Sequence, residues 1–163
     1  MILASPFFLM AARCIENDSL RRGPDGDWHI YGEIHNETDV QGVDILVRGT
    51  LFDSAGNVLA TGQAGICPGE LSPGEFSAYD IGFNNSEGIS RPASYKINVL
   101  SGRAVPEQLP EMDVDVTDLA ASRQGDVVTI TGSIRANVSY PGDYSGCAAF
   151  YDAAGNVIQH LTI

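Results

Sequence analysis

The chain says one thing twice. LFDSAGNVLATG runs from Leu51 to Gly62, and FYDAAGNVIQHL runs from Phe150 to Leu161. Asp53 matches Asp152, an offset of 99 (152 minus 53). Upstream, DWHIYGEIHN (27–36) faces VVTITGSIRAN (127–137), where Gly32 matches Gly132 at an offset of 100 and Asn36 matches Asn137 at 101. A single Asp-x-x-Gly-Asn-Val match is an ordinary turn. Two ordered matches at one spacing define two homologous units of about 100 residues, which is domain-sized rather than solenoid-sized.

Each unit reads as strands. Trp28, Ile30, Gly32 and Ile34 alternate with His29, Tyr31, Glu33 and His35, and Val43, Ile45, Val47 and Leu51 alternate with Asp44, Leu46, Arg48 and Thr50. Period two means a strand with one buried face. Asp53 can bond back to its own backbone, while Gly56 and Asn57 tolerate positive φ, so DSAGN is a turn. Further strands are expected from Val58, over FSAYDIGF and over SYKINVLSG, with the Pro/Gly-rich CPGELSPGE as a loop. In the second unit Met112, Val114 and Val116 alternate with Asp113, Asp115 and Thr117. By register the first unit needs a strand before Trp28 as well, and residues 7–15 are assigned to it. A signal peptide fits them less well: a basic leading segment is missing, Pro6 intrudes, and the apolar run is too short to span a bilayer.

The fold expected is all-β: two immunoglobulin-like antiparallel β-sandwich units in tandem, the second incomplete. The first covers residues 7–102, a Pro- and Glu-bearing linker covers 103–111, and the second covers 112–163. Residue 163 corresponds to 64 of the first unit (163 minus 99), so nothing matches 65–102 and the chain reads as a fragment.

The charge excludes some partners. Net charge is −12 with a pI near 4.3, and Lys96 is the one lysine. Nucleic acid requires a basic footprint and anionic lipid attracts basic segments, so neither is expected. A membrane association would need an anchor outside this chain.

The motifs, in order, are a Gly-x-Ile/Val-x-Asn strand (one residue longer before Asn137 in the second unit), an aromatic-Asp-x-x-Gly-Asn-Val turn and a Leu-x-Pro-Gly-Glu loop. This order resembles the FxLYD domain family, an immunoglobulin-like module of bacterial and archaeal proteins. The first unit carries all three through Gly32, Asn36, Asp53, Gly56, Asn57, Pro73 and Gly74; the second carries two through Gly132, Asn137, Asp152, Gly155 and Asn156. Both depart from the name-giving pattern: Gly49 and Ala148 stand at the leading Phe position, Phe52 replaces Tyr and Phe150 replaces Leu. The resemblance implies a secreted or envelope-associated protein and brings no catalytic residue.

Candidate chemistry is sparse. His29, Glu33 and His35 share one strand face and are weighed as metal ligands against a solvated polar face. Asp113 and Asp115, with Asp118 nearby, are weighed as a calcium site against an edge that discourages strand pairing. Cys14 and Cys67 are a possible bridge, and Cys147 has no evident mate. A nucleophilic Cys147–His160 pair lacks any orienting motif. Asn17, Asn36, Asn84 and Asn137 each open an Asn-x-Ser/Thr sequon. No cofactor is expected and no enzyme. The expected role is a non-catalytic structural or interaction module outside the cell, facing a protein or a cell-surface polymer. The alternative is an accessory ligand-binding module, for carbohydrate or dependent on calcium, within a larger extracellular enzyme and using Tyr79, Tyr140 and Tyr144.

Overall fold

A computed structural model describes residues 15–84, 86, 88–105, 114–125, 127–136 and 146–162. Every regular element among them is a strand: β1 Ile15–Arg22, β2 Trp28–His35, β3 Gln41–Phe52, β4 Val58–Gly65, β5 Glu70–Leu71, β6 Phe76–Phe83, β7 Ser94–Val105, β8 Val114–Gln124, β9 Val127–Ala136, β10 Cys147–Tyr151 and β11 Val157–Thr162. The all-β expectation is met. The chain forms two compact units, one of Met1–Gln108 with Ser145–Ile163 and one of Leu109–Tyr144. These bounds differ from the division into 7–102 and 112–163, because β10 and β11 belong with the larger unit.

The larger unit is sandwich-like. The sheet β1–β2–β6 and the sheet formed by β4, β5 and β7 around β3 are both antiparallel. Their inward residues meet in one core: Trp28, Ile30, Ile34, Tyr79, Ile81 and Phe83 from the first, Ile45, Val47, Leu51 and Leu71 from the second. Two glycines set the sheet separation. A Cβ on Gly49 would lie 2.9 Å from Ile30 Cδ1 and Phe83 Cζ, and one on Gly62 would lie 2.6 Å from the Gly82 carbonyl oxygen. Hydrogen in place of a side chain is therefore a packing requirement at both sites.

The strand preceding β2 is Ile15–Arg22, C-terminal to the 7–15 expected for it; residues 7–14 lie outside those described. Its alternation is hidden by a bulge. Register slips between Glu16 and Ser19, where Asn17 takes a φ of 53°. A bulge inserts an extra residue and resets which side chains face inward, so ENDSLRR shows no period-two alternation. The start of the expected linker is likewise strand: β7 continues through Val105.

The smaller unit is described as one hairpin, β8–β9. It repeats β1–β2 pair for pair. Glu16↔Glu33 and Ser19↔Tyr31 in the first have counterparts Thr117↔Ser133 and Ala120↔Thr131 in the second, and Asp118 repeats the positive φ of Asn17 at 55°. Leu51↔Ala60 and Phe52↔Val58 of β3–β4 recur as Phe150↔Gln159 and Tyr151↔Val157 of β10–β11, with the same slip. The turns agree too. Asp53 Oδ1 accepts from the Ala55 and Asn57 amides, each at 2.8 Å, and Asp152 Oδ1 accepts from Ala154 at 2.9 Å and Asn156 at 3.0 Å. Gly56 and Gly155 follow at φ of 83° and 88°, which glycine adopts without strain.

Candidate functional site

Strand β2 is covered on both faces. Ile30 and Ile34 point into the sandwich core, and the opposite face, expected to be solvated, lies beneath β10–β11. Tyr31 and Glu33 are buried, and Val157 has no exposed surface. Tyr151 Oη donates to Glu33 Oε1 and Ser19 Oγ donates to the Val157 carbonyl. Arg21 Nη2 pairs with Asp152 Oδ2 at 2.8 Å. The polar residues that suggested a wet face are the groups that receive the hairpin, since buried polar atoms require partners.

His29, Glu33 and His35 are not brought together as ligands. His29 Nδ1 faces Asp80 Oδ1 at 2.6 Å, and Nε2 faces both Asp25 oxygens at 3.1 Å. Burial pulls the His29 pKa down, but the two carboxylates outweigh it and the net direction is up. Glu33 accepts from Asn17 Nδ2 at 2.7 Å. Its carboxylate raises the Tyr151 phenol to about 12, with desolvation adding to the effect. His35 stacks on Phe76 at 4.2 Å and gathers with Glu16 and Glu37. Asn17, Asp25 and Asp80 complete this network; the sequence reading took Asn17 only as a sequon and passed over the two aspartates.

A second cluster joins distant parts of the sequence. Cys67 and Cys147 form a disulfide with Cα atoms 6.0 Å apart, so the partner of Cys67 is Cys147; Cys14 lies outside the described residues. Cys147 occupies the face of β10 turned to the body of the unit, together with Tyr151. His160 lies diagonally across on β11, and a ring nitrogen of it and both sulfurs all lie within 4.8 Å of one another. Its Nε2 is buried without a hydrogen-bond partner. Desolvation pulls the His160 pKa down, against an opposing pull from Asp80. With Cys147 oxidised, this pair holds no thiolate nucleophile.

The remaining motif residues are structural. Asn36 is buried; its Nδ2 donates to the Val40 and Leu71 carbonyls, both at 2.9 Å. The Pro73–Gly74 loop docks on the same residue, with the Gly74 amide donating to the Asn36 carbonyl at 2.8 Å. A sequon asparagine so placed is closed to glycosylation in the folded chain. Asp115 and Asp118 sit on β8, Asp118 in its bulge, while Asp113 and Asn137 lie outside the described residues. Tyr79 is not an exposed aromatic: it is wholly buried, and a Cβ on Gly32 would lie 2.6 Å from its Cζ. Tyr140 and Tyr144 also lie outside the described residues. Among those described, no helix is long and apolar enough to cross a membrane. Comparison with protein-family models, curated proteins and solved structures gives no match.

Proposed function

We propose that the chain is a non-catalytic structural and interaction module, of FxLYD type, from a secreted or envelope-anchored prokaryotic protein. The observation that supports this most directly is the β8–β9 hairpin. Val116, Leu119, Val128, Ile130 and Ile134 share one of its faces, and all are exposed. Apolar patches of this kind mark association surfaces. The equivalent face of β1–β2 is covered by the sheet containing β3 and β4, so the partner that fits β8–β9 is a second sheet of the same kind. We take a second copy of the chain as that partner. Its β10–β11 hairpin carries Phe150 and Leu161 on the face corresponding to the core face of β3–β4. His29 and Glu33, the polar residues weighed as ligands, are engaged by Asp80, Asp25, Asn17 and Tyr151, which supports a non-catalytic role. The disulfide supports an oxidising compartment. The ligand-binding alternative loses Tyr79 to the core.

Sedimentation across a concentration series tests the reading. Self-association is expected, and Ile130→Asp and Ile134→Asp should abolish it while leaving the circular dichroism spectrum unchanged. A wild-type chain that stays monomeric at the highest concentration, or variants that associate as before, would refute it.

A further inference from the structure

The two copies differ in chemistry on the face through which β10–β11 docks. Position 48 is Arg in the first copy and its counterpart is Cys147; position 61 is Thr and its counterpart is His160. Both departures lie on the same face of β10–β11, and both meet Cys67, which is held beside β6 by its amide donating to the Ala78 carbonyl at 2.9 Å. Soft and borderline ligands thus replace a cation and a hydroxyl where the hairpin docks. A buried imidazole nitrogen with no hydrogen-bond partner is a second, separate sign, because such an atom is costly unless something binds it.

We propose that Cys67, Cys147 and His160 form a redox-gated site for a thiophilic divalent cation of the zinc type. In the oxidised chain the two sulfurs are bonded to each other and offer no anionic ligand. A dithiol reductant donates two electrons and two protons, the S–S bond breaks, and the reductant leaves as its own disulfide. The two thiols then lose their protons to solvent as they ligate the cation, and neutral His160 supplies a nitrogen lone pair. Zinc–sulfur bonds of about 2.3 Å and zinc–nitrogen bonds of about 2.0 Å need ligand atoms roughly 3.5–4 Å apart. The present cluster lies within 4.8 Å, so small side-chain adjustments close the set. Three protein ligands leave the fourth tetrahedral position for water. The hairpin would then be pinned to the body of the unit in either redox state, by a covalent bond in one and by a metal in the other.

Cobalt(II) is the probe, in a full-length Cys14→Ser chain so that no third thiol competes. The reduced protein should bind one cobalt per chain with a thiolate-to-metal charge-transfer band, and the oxidised protein none. Cys147→Ser should lose the band. His160→Ala should weaken binding by about 100-fold or more, beyond the 10–100-fold usual for residues that merely support a ligand. Zinc should raise the melting temperature of the reduced chain and leave that of the oxidised chain unchanged. A reduced chain that takes up no cobalt, or a His160→Ala chain that binds it as tightly as the parent, overturns the site.

Discussion

The hairpins β1–β2 and β8–β9 share a register, a bulge and a positive-φ Asx residue, yet live in different surroundings. Ile30 is 0% exposed and its counterpart Ile130 is 44% exposed. At the bulge, Gly32 admits the ring of Tyr79 from β6, whereas the space over Gly132 is taken by Leu119 from the hairpin itself. Hairpin geometry is settled locally, by turn chemistry, bulge and strand pairing. Burial is settled by what lies opposite. The β3–β4 and β10–β11 pair makes the same point in reverse. Val58 is 59% exposed and its counterpart Val157 is 0% exposed, because β10–β11 docks through the face that β3–β4 leaves open.

The largest test substitutes equivalent residues. Ile30→Ala should cost about 2–5 kcal/mol, as core truncations do. Ile130→Ala, measured on the dilute, unassociated chain, should cost less than about 0.5 kcal/mol, as surface changes do. Denaturant midpoints measure both. Equal losses would mean that the β8–β9 face is buried and that the two hairpins share surroundings after all.

Next is the bond that the first copy lacks. Cys67–Cys147 closes a separation of 80 residues. As is typical of disulfides, its removal should cost about 2–4 kcal/mol. Melting Cys147→Ser against the parent, with chelator present, gives the difference. Hydrogen exchange should rise across β10 and β11 and at Tyr31 and Glu33, while β3, β4 and β7 keep their protection. A uniform rise would mean that the hairpin is integral to the sandwich rather than docked on it.

Third, Gly32→Ala should cost about 1–3 kcal/mol from overpacking against Tyr79. Gly132→Ala should cost less, because its nearest contact is Leu119 Cδ2 at 2.9 Å, the end of a flexible side chain. Equal costs would show that Leu119 is held as firmly as Tyr79 is.

Alternation and turn residues made most strands readable, since both are local signals: FSAYDIGF is β6 to the residue. What stayed hidden was relational. The bulge at Asn17 masked β1, because one inserted residue reverses the parity of everything after it. The covering of His29, Tyr31 and Glu33 could not be read from β2, because a polar face that accepts a hairpin and a polar face that meets water have the same pattern. Cys147 looked mateless because its partner lies in the other copy, and chain spacing carries no trace of which sheet a hairpin will choose.

The smallest effect concerns His29, whose counterpart at an offset of 100 is Thr129. His29→Thr therefore makes the first hairpin resemble the second at the one position where the first holds a histidine between two carboxylates. Burial works against the imidazolium, but Asp80 and Asp25 prevail and the folded-state pKa lies above the ordinary 6.5. A raised pKa means that the folded chain holds its proton more tightly than the unfolded chain does. The stability this gives is fully present below 6.5 and is lost as pH rises through the folded value. Asp25 sets the other limit. Its hydrogen bond to His29 comes first among the causes holding it below the ordinary 3.8, so its share is present above 3.8 and is lost as pH falls through its folded value. The difference in melting temperature between parent and His29→Thr should thus be widest between these limits and should narrow on both sides. Asp25 is half-exposed, so salt should shrink the difference without moving its window. A difference that is flat in pH would mean that His29 acts here through its shape and its stacking on Tyr31 at 5.4 Å, and that charge plays no part in distinguishing the two hairpins.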